Sequence, residues 1–412
     1  MPSAPRSLPA AHPAQDAGAH APVWISAEQH LCGTRAVKQF LLIQTAFLGD
    51  AVLATSILEK LHAHYPDAAI DLVVRKGNDG LFTGHPFLRT VHVWDKRQGK
   101  TRALFKLIST LRKQRYDHVI NAQRFLATGL MTVLSGGRET IGYDKNPLSF
   151  LFSRKVKHQI PEPKALRGKP VKSDAAIIHE VDRLNDLIAH LTNTERPYPR
   201  LYPSEADRQQ VQALLAPLIP PAGSLAEDPA GTAAPQGPEA ETLREHGGQA
   251  PYITIAPSSV WFTKQWPAEK WIALIQALPA RQRIFLIGAP GDIPLCARIT
   301  QAAGRGEVLA GKLSLLGTAA LMQGAAMNYV NDSAPLHIAS AMHAPVTALF
   351  CSTVPAFGFG PLNANGRIVE RLAPLYCRPC GLHGYKACPE GHFKCAWEID
   401  VDRAIAGEGI NK

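Results

Sequence analysis

Short apolar runs alternate with helix-periodic stretches along this chain, and that alternation restricts its fold more than any other feature. Lys38 to Thr45 reads as a strand. A small-residue loop, Ala46-Phe47-Leu48-Gly49-Asp50, follows, and Ala51 to His64 carries helical spacing. Further strands are expected at Ala69 to Val74, Val91 to Trp94 and His118 to Ala122, with helices at Ala103 to Gln114 and Ile177 to Leu191. Pro217 to Gln249 breaks the pattern. It is dense in Pro, Gly, Ala and Glu, cannot bury a core, and is expected to be a flexible insertion. The alternation then restarts: strand Tyr252 to Ala256, helix Ala268 to Leu278, strand Arg283 to Ile287, helix Pro294 to Ala303, a strand through Val330, a helix from near Pro335, and strand Val346 to Phe350. Such a sequence builds parallel sheets covered by helices on both faces. The expected architecture is α/β, with two sheet domains of similar size at residues 36–200 and 250–412 facing a cleft.

With 412 residues, 46% of them apolar and 19% charged, the chain has ordinary globular composition and length enough for two domains. No apolar run reaches the roughly 18–20 residues of a membrane span. The closest, Phe40 to Leu58, carries Gly49-Asp50 at its middle. Residues 1–35 are expected to form a disordered tail; the first 30 lack the apolar core of a signal peptide, and the protein is expected to be cytoplasmic. The net charge of +10 is unevenly spread. Residues 96–115 hold eight Lys or Arg and no acid, and residues 154–172 have a net charge of +6. The first half therefore carries a basic surface, either a solvated face or a seat for an anionic partner such as phospholipid headgroups or a phosphorylated glycolipid. Nucleic acid is disfavoured, because only Phe105 and Tyr116 offer stacking surfaces and no binding motif is present.

Ligands of such sheets bind beyond the carboxyl ends of the strands, and four turns meet that condition. The first is Phe47-Leu48-Gly49-Asp50. It lacks a dinucleotide-binding glycine fingerprint, and Asp50 is either an N-cap or a general base. The second runs from Ala256 through Ser258, Ser259 and Lys264 to Trp266-Pro267. Lys264 suits a phosphate, and both serines can donate hydrogen bonds. In the third, Gly288-Ala289-Pro290-Gly291-Asp292, the carboxylate either accepts from ribose hydroxyls or caps the helix at Pro294. The fourth is Asn331-Asp332-Ser333-Ala334-Pro335-Leu336-His337. There a strand passes into a helix whose N-terminal N–H groups and dipole can seat a phosphate, or Asp332 simply caps that helix. Finally, Cys377, Cys380, Cys388 and Cys395 fall within 19 residues with His383 and His392 interleaved. In a cytoplasmic protein that clustering argues for structural zinc, iron or an iron–sulfur cluster rather than disulfides. The alternative is a set of reduced thiols that binds nothing.

Together the turns resemble glycosyltransferase family 9, the ADP-heptose:lipopolysaccharide heptosyltransferases, most of all the heptosyltransferase II-like members. The resemblance rests on Leu41-Leu42-Ile43-Gln44 with Leu48-Gly49-Asp50, on Ile255-Ala256-Pro257 through Lys264-Gln265-Trp266-Pro267, on Asn331 through His337, and on Leu349-Phe350 through Phe359-Gly360-Pro361. Arg378-Pro379-Cys380-Gly381 and Cys388-Pro389 also look like a subset of the family. It spans about residues 38–400 and leaves out the tail and the insertion.

The resemblance implies a GT-B fold, two Rossmann-like domains with parallel sheets facing a cleft, with acceptor on the N-terminal domain and nucleotide-sugar on the C-terminal one. It implies Asp50 as catalytic base and Lys264 on the donor diphosphate. It further implies Asp332 near the sugar, the N–H groups of Ala334 to His337 facing phosphate, and Asp292 near the ribose. The reaction implied is an inverting transfer of heptose from ADP-heptose to the lipopolysaccharide inner core. It needs no cofactor, so any metal at the cysteines would be structural. The enzyme would sit peripherally at the cytoplasmic face of the inner membrane. Two positions depart from the family: Ala334 and Cys351 stand where glycine is usual. A methyl group at 334 is expected to restrict φ and crowd the diphosphate. A GT-B enzyme using another nucleotide-sugar, and a non-catalytic glycolipid- or metal-binding relative, are the alternatives.

Overall fold

Fully parallel sheets bury both faces, so their strands read as continuous apolar runs, and β1 (Gln39–Gln44) is such a strand. Phe40, Leu41, Leu42 and Ile43 are all completely buried. Phe40 and Leu42 face the helix Leu48–His64, and Leu41 and Ile43 join the core beneath the helices Lys100–Arg112 and Leu126–Leu134. The computed structural model describes residues 37–97, 100–169, 177–218 and 252–406. The expected tail and nearly all of the expected insertion lie outside the described residues.

The first sheet continues with β2 (Ala69–Arg75), β3 (Leu88–Trp94), β4 (His118–Asn121), β5 (Glu139–Tyr143) and β6 (Arg154–Val156), in the order β3-β2-β1-β4-β5-β6. The second holds β7 (Tyr252–Ala256), β8 (Arg283–Leu286), β9 (Glu307–Val308), β10 (Met327–Asn331), β11 (Val346–Phe350) and β12 (Gly366–Glu370), in the order β12-β11-β10-β7-β8-β9. All pairings are parallel, with Phe40 opposite His118 in one sheet and Met327 opposite Ile253 in the other. Strand order reverses between β1 and β4 and again between β7 and β10, and these switch points are where doubly wound sheets open a crevice for ligands.

The segments expected from periodicity appear with shifted ends. The first helix begins at Leu48 rather than Ala51, because Phe47 is extended and its carbonyl accepts from Ala51 N at 3.1 Å. Gly49 and Asp50 therefore lie in a helical first turn, where a carboxylate is favoured by the dipole. The helix expected from Ile177 is Glu180–Asp186, opened by His179 and Asp182 in a reciprocal cap. The strands β5, β6, β9 and β12 and the helices Glu205–Leu215 and Leu315–Gln323 carried too little periodicity to be read in advance.

From Lys38 onward the described residues form one compact unit containing both sheets. One apolar cluster runs through the two halves, joining Val52, Ile57 and Leu61 to Val330, Leu336 and Ala339. Each fully buried Leu or Ile there contributes roughly 1.5–3 kcal/mol. Among the described residues, no helix is long and apolar enough to cross a membrane.

Candidate active site

Asn331 ends β10 with its side chain fully buried, and its amide organises the neighbouring turn. Its Nδ2 donates to the Pro257 carbonyl at 2.8 Å and its Oδ1 accepts from Trp266 N at 2.9 Å. Both ends of the 257–266 loop are thereby tied to the end of β10, and Lys264 comes to lie over the next residue. Lys264 Nζ is 2.8 Å from Asp332 Oδ2, and Thr353 Oγ1 donates to the same oxygen at 2.5 Å. Asp332 thus holds a lysine and a threonine, whereas the helix Ala334–Ala341 begins after Ser333 with no side-chain cap.

The donors expected from this turn are fewer than the sequence suggested. Pro335 has no N–H, and that of Leu336 goes to the Ser333 carbonyl at 3.1 Å. Leu336 is fully buried in the core and does not reach the cleft. Ala334 has ordinary helical backbone and is absent from the residues with positive φ, so the expected restriction on φ plays no part. His337 is buried, and loss of solvent lowers its pKa to about 3, keeping the imidazole neutral.

Across the cleft, Asp50 sits in the first turn of Leu48–His64. The approach is close: a Cβ on Gly49 would lie 2.7 Å from His337 Cδ2, so only glycine lets the two helix starts meet. Asp50 keeps a partly exposed edge, yet the surrounding protein strips its carboxyl of water and raises its pKa to about 7. The buried Glu180 adds to the rise, and the Phe47 backbone and Lys264 oppose it. Glu180 is itself fixed. Arg183 Nε donates to its Oε2 at 2.7 Å, while the same guanidinium reaches the Ile178 carbonyl at 2.7 Å and the Phe357 carbonyl at 2.8 Å. Gly358 accepts from Glu180 N at 2.8 Å and has φ of +86°, where a Cβ would stand 2.2 Å from the Ile178 oxygen. Neither Glu180 nor Arg183 was legible beforehand; they lie some 130 residues beyond Asp50 in sequence, in a segment with no motif.

Between these groups lies a cleft of about 790 Å³. Asp50, Ser258, Ser259, Lys264, Asp292, Asp332, Ser333, Ala334, Pro335 and His337 all line it, drawn from the turns after β1, β7, β8 and β10. Arg75, Trp261, Ser314, Phe359 and His383 line it without having been singled out as cleft residues. Asp292 Oδ2 accepts from Ala289 N at 2.8 Å and its side chain makes no cap on the helix Ile293–Ala303, so it tightens its own turn.

The cysteine segment packs against the same loop. Thr263 N donates to the Tyr385 carbonyl at 3.1 Å, and Tyr385 N donates to Thr263 Oγ1 at 2.8 Å. Buried Arg378 donates to the Thr353 carbonyl at 2.6 Å and to Glu370 Oε2 at 2.5 Å, backing the threonine that holds Asp332. Among the described residues, no group of three or more His, Cys, Asp or Glu side chains is arranged to hold a metal ion. The expectation of zinc or iron at Cys377, Cys380, Cys388 and Cys395 therefore finds no support among the described residues. Cys380 and Cys395 are buried thiols, their pKa values pushed up by burial to about 11 and about 12. Cys395 packs into the apolar cluster around Phe393 and Ile399, and Cys377 and Cys388 lie partly buried against it.

Two Rossmann-like sheets, with a lysine, two carboxylates and two helix starts converging on one crevice, have the architecture of the GT-B class of glycosyltransferases. The fold matches that of Escherichia coli ADP-heptose lipopolysaccharide heptosyltransferase II with a TM-score of 0.64 at 19% identity, covering 90% of this chain and 97% of that one. It also matches E. coli heptosyltransferase WaaC crystallised with ADP-2-deoxy-2-fluoro heptose, with a TM-score of 0.56 at 20% identity over 80% and 92%. In sequence, lipopolysaccharide heptosyltransferase 3 of E. coli is 26% identical over 318 residues, 74% of this chain and 82% of the relative. Lipopolysaccharide heptosyltransferase 1 of Pseudomonas aeruginosa is 26% identical over 358 residues, 82% and 85% respectively. The model of glycosyltransferase family 9 (heptosyltransferase) matches residues 104–383, and the chain belongs to that family.

Proposed function

We propose that this enzyme transfers heptose from ADP-heptose, or a closely related nucleotide-sugar, to the inner core of lipopolysaccharide with inversion at the anomeric carbon. The acceptor would lie on the 36–200 half and the donor on the 250–412 half. The observation that carries the reading is the pairing across one cleft of a carboxylate with pKa near 7 and a lysine 2.8 Å from a second carboxylate. In the proposed reaction, Asp50 takes the proton of an acceptor hydroxyl as that oxygen attacks the anomeric carbon. Lys264 and the first turn of Ala334–Ala341 neutralise the charge that develops on the leaving diphosphate. Asp332 orients Lys264 and faces the sugar, Ser258 and Ser259 donate to phosphate, and Asp292 faces the ribose. One displacement at one carbon inverts it. These groups supply the base and the positive charge themselves, so the route requires no cofactor.

The acceptor is a lipid-anchored anion, and the basic first half supports a peripheral position at the cytoplasmic face of the inner membrane. The test is a transfer assay with ADP-heptose and truncated lipopolysaccharide cores, read by mass spectrometry. A mass gain of one heptose is expected. No transfer from ADP-heptose, with transfer from another nucleotide-sugar, would move the donor assignment. No transfer from any nucleotide-sugar would favour a non-catalytic relative.

A further inference from the structure

Several apolar side chains at the carboxyl-end rim of the first sheet have nothing among the described residues to cover them. Phe125 and Leu126 open the helix Leu126–Leu134 directly beyond β4 and are 63% and 54% exposed. Phe150 and Leu151, beyond β5, are 70% and 51% exposed. The two pairs are neighbours. Asn146 Nδ2 donates to the Phe125 carbonyl at 3.1 Å, Ser149 N donates to the Asn146 carbonyl at 2.9 Å, and a Cβ on Gly129 would touch Leu148. This pinning holds both loop tips outward on a fixed frame. A solvated loop has no reason to present two phenylalanines and two leucines together, and such a patch marks a contact surface.

Charge surrounds the tip. Lys145, Lys155 and Lys157 are exposed on the flanking loop and on β6. The helix Lys100–Arg112 packs beside Leu126–Leu134 through Leu104, Ile108 and Met131 and shows Arg102, Phe105 and Lys106 outward. That stretch of chain has no acid between residues 96 and 115. Apolar side chains with predominantly basic neighbours, Asp144 being the exposed acid of the same loop, match the interface of an anionic bilayer, where rings and leucines enter the acyl boundary and cations meet the headgroups. The position also fits. β4 lies beside β1, their ends are joined by Gln123 Nε2 to Gln44 Oε1 at 2.5 Å, and β1 leads directly to Asp50.

We propose that the Phe125-Leu126 and Phe150-Leu151 tips insert into the surface of an anionic phospholipid bilayer and so present a membrane-held acceptor to the Asp50 side of the cleft. The choice of acceptor rests on the heptosyltransferase reading; the bilayer contact does not. The test uses the full chain with vesicles of phosphatidylethanolamine and phosphatidylglycerol, against vesicles of phosphatidylcholine alone. Flotation is expected with the anionic vesicles only. It should fall at least tenfold in the double variant Phe125→Ser/Phe150→Ser and severalfold in Lys145→Glu/Lys155→Glu. The fluorescence of a Phe150→Trp variant should shift to the blue on adding anionic vesicles and be quenched by brominated acyl chains.

Transfer to a water-soluble, deacylated acceptor should be unchanged in the serine variant, while transfer to acceptor embedded in vesicles drops. That pair of assays separates the two readings, because absent transfer with intact flotation overturns only the activity. Flotation unaffected by both double variants, equal flotation with neutral vesicles, or no response of the Phe150→Trp fluorescence to lipid would overturn the membrane contact. Loss of a dimer in the serine variant, with flotation intact, would assign the tips to a second copy of this chain instead.

Discussion

Two aspartates stand at corresponding places in the two halves, each just beyond a central strand at a switch point, and their surroundings differ. Asp332 has a lysine and a hydroxyl on one oxygen, at 2.8 and 2.5 Å. Asp50 has no cation in contact among the described residues; burial and the nearby Glu180 raise its pKa to about 7. The same side chain in the same kind of turn is thus dressed for two tasks. A paired carboxylate is an anchor that keeps Lys264 aimed. An unpaired, dehydrated one gains by accepting a proton and is suited to act as a base near neutrality.

The comparison can be broken most severely at Asp50. Asp50→Asn should lose about 10²–10⁴-fold in turnover, the range attributed to general bases, while donor affinity by calorimetry stays close to wild type. Near-normal turnover would remove Asp50 from the chemistry. Lys264→Ala should cost roughly 10²–10³-fold, comparable to losing one preorganised charge-stabilising donor, and unlike the first variant it should also weaken donor binding.

The pH dependence sharpens the contrast. Asp50 must be ionised to act, so kcat/KM should rise with pH through about 7 and lose that limb in Asp50→Asn. The stability effect has the opposite sense. Because the folded pKa of about 7 exceeds the ordinary 3.8, the folded protein holds this proton more tightly than the unfolded chain. The stability it contributes is full below about pH 4 and is lost as pH rises through about 7. Asp50→Asn should therefore raise Tm at about pH 8 and change it little at about pH 4.

Smaller effects test the frame. Gly49→Ala places a methyl 2.7 Å from His337 Cδ2 and should cost about 1–3 kcal/mol by overcrowding, read by chemical denaturation. Thr353→Val leaves Asp332 with Lys264 but removes one hydrogen bond. It should cost about 1 kcal/mol and raise the donor KM severalfold with little change in kcat. Equal losses in kcat would mean that Thr353 acts in the transition state.

Much of the site was legible because its groups sit in local turns. Asp50, Lys264, Asp292, Asp332 and His337 each follow a strand, and strands announce themselves by apolar runs. Leu336 was expected for its N–H alone; that group goes to the Ser333 carbonyl, and the side chain points into the core because a helix places successive side chains on different faces. Thr353, Glu180, Arg183 and Arg378 could not be found that way. Their meaning comes from groups they touch across long stretches of chain, as when Arg378 backs Thr353, which holds Asp332. The cysteine spacing carried a metal expectation that the described residues do not support, and what the folded segment shows is a brace on the loop of Lys264 through Tyr385 and Thr263.

Sequence by itself determined the α/β class, the two-part repeat and the turns that face the cleft, because hydrophobic periodicity and chain punctuation are local properties. Tertiary structure decided which carboxylate is paired, which is dehydrated, and which apolar tips stay uncovered. Those depend on distance and solvent access between residues far apart in the chain, and no local pattern records them.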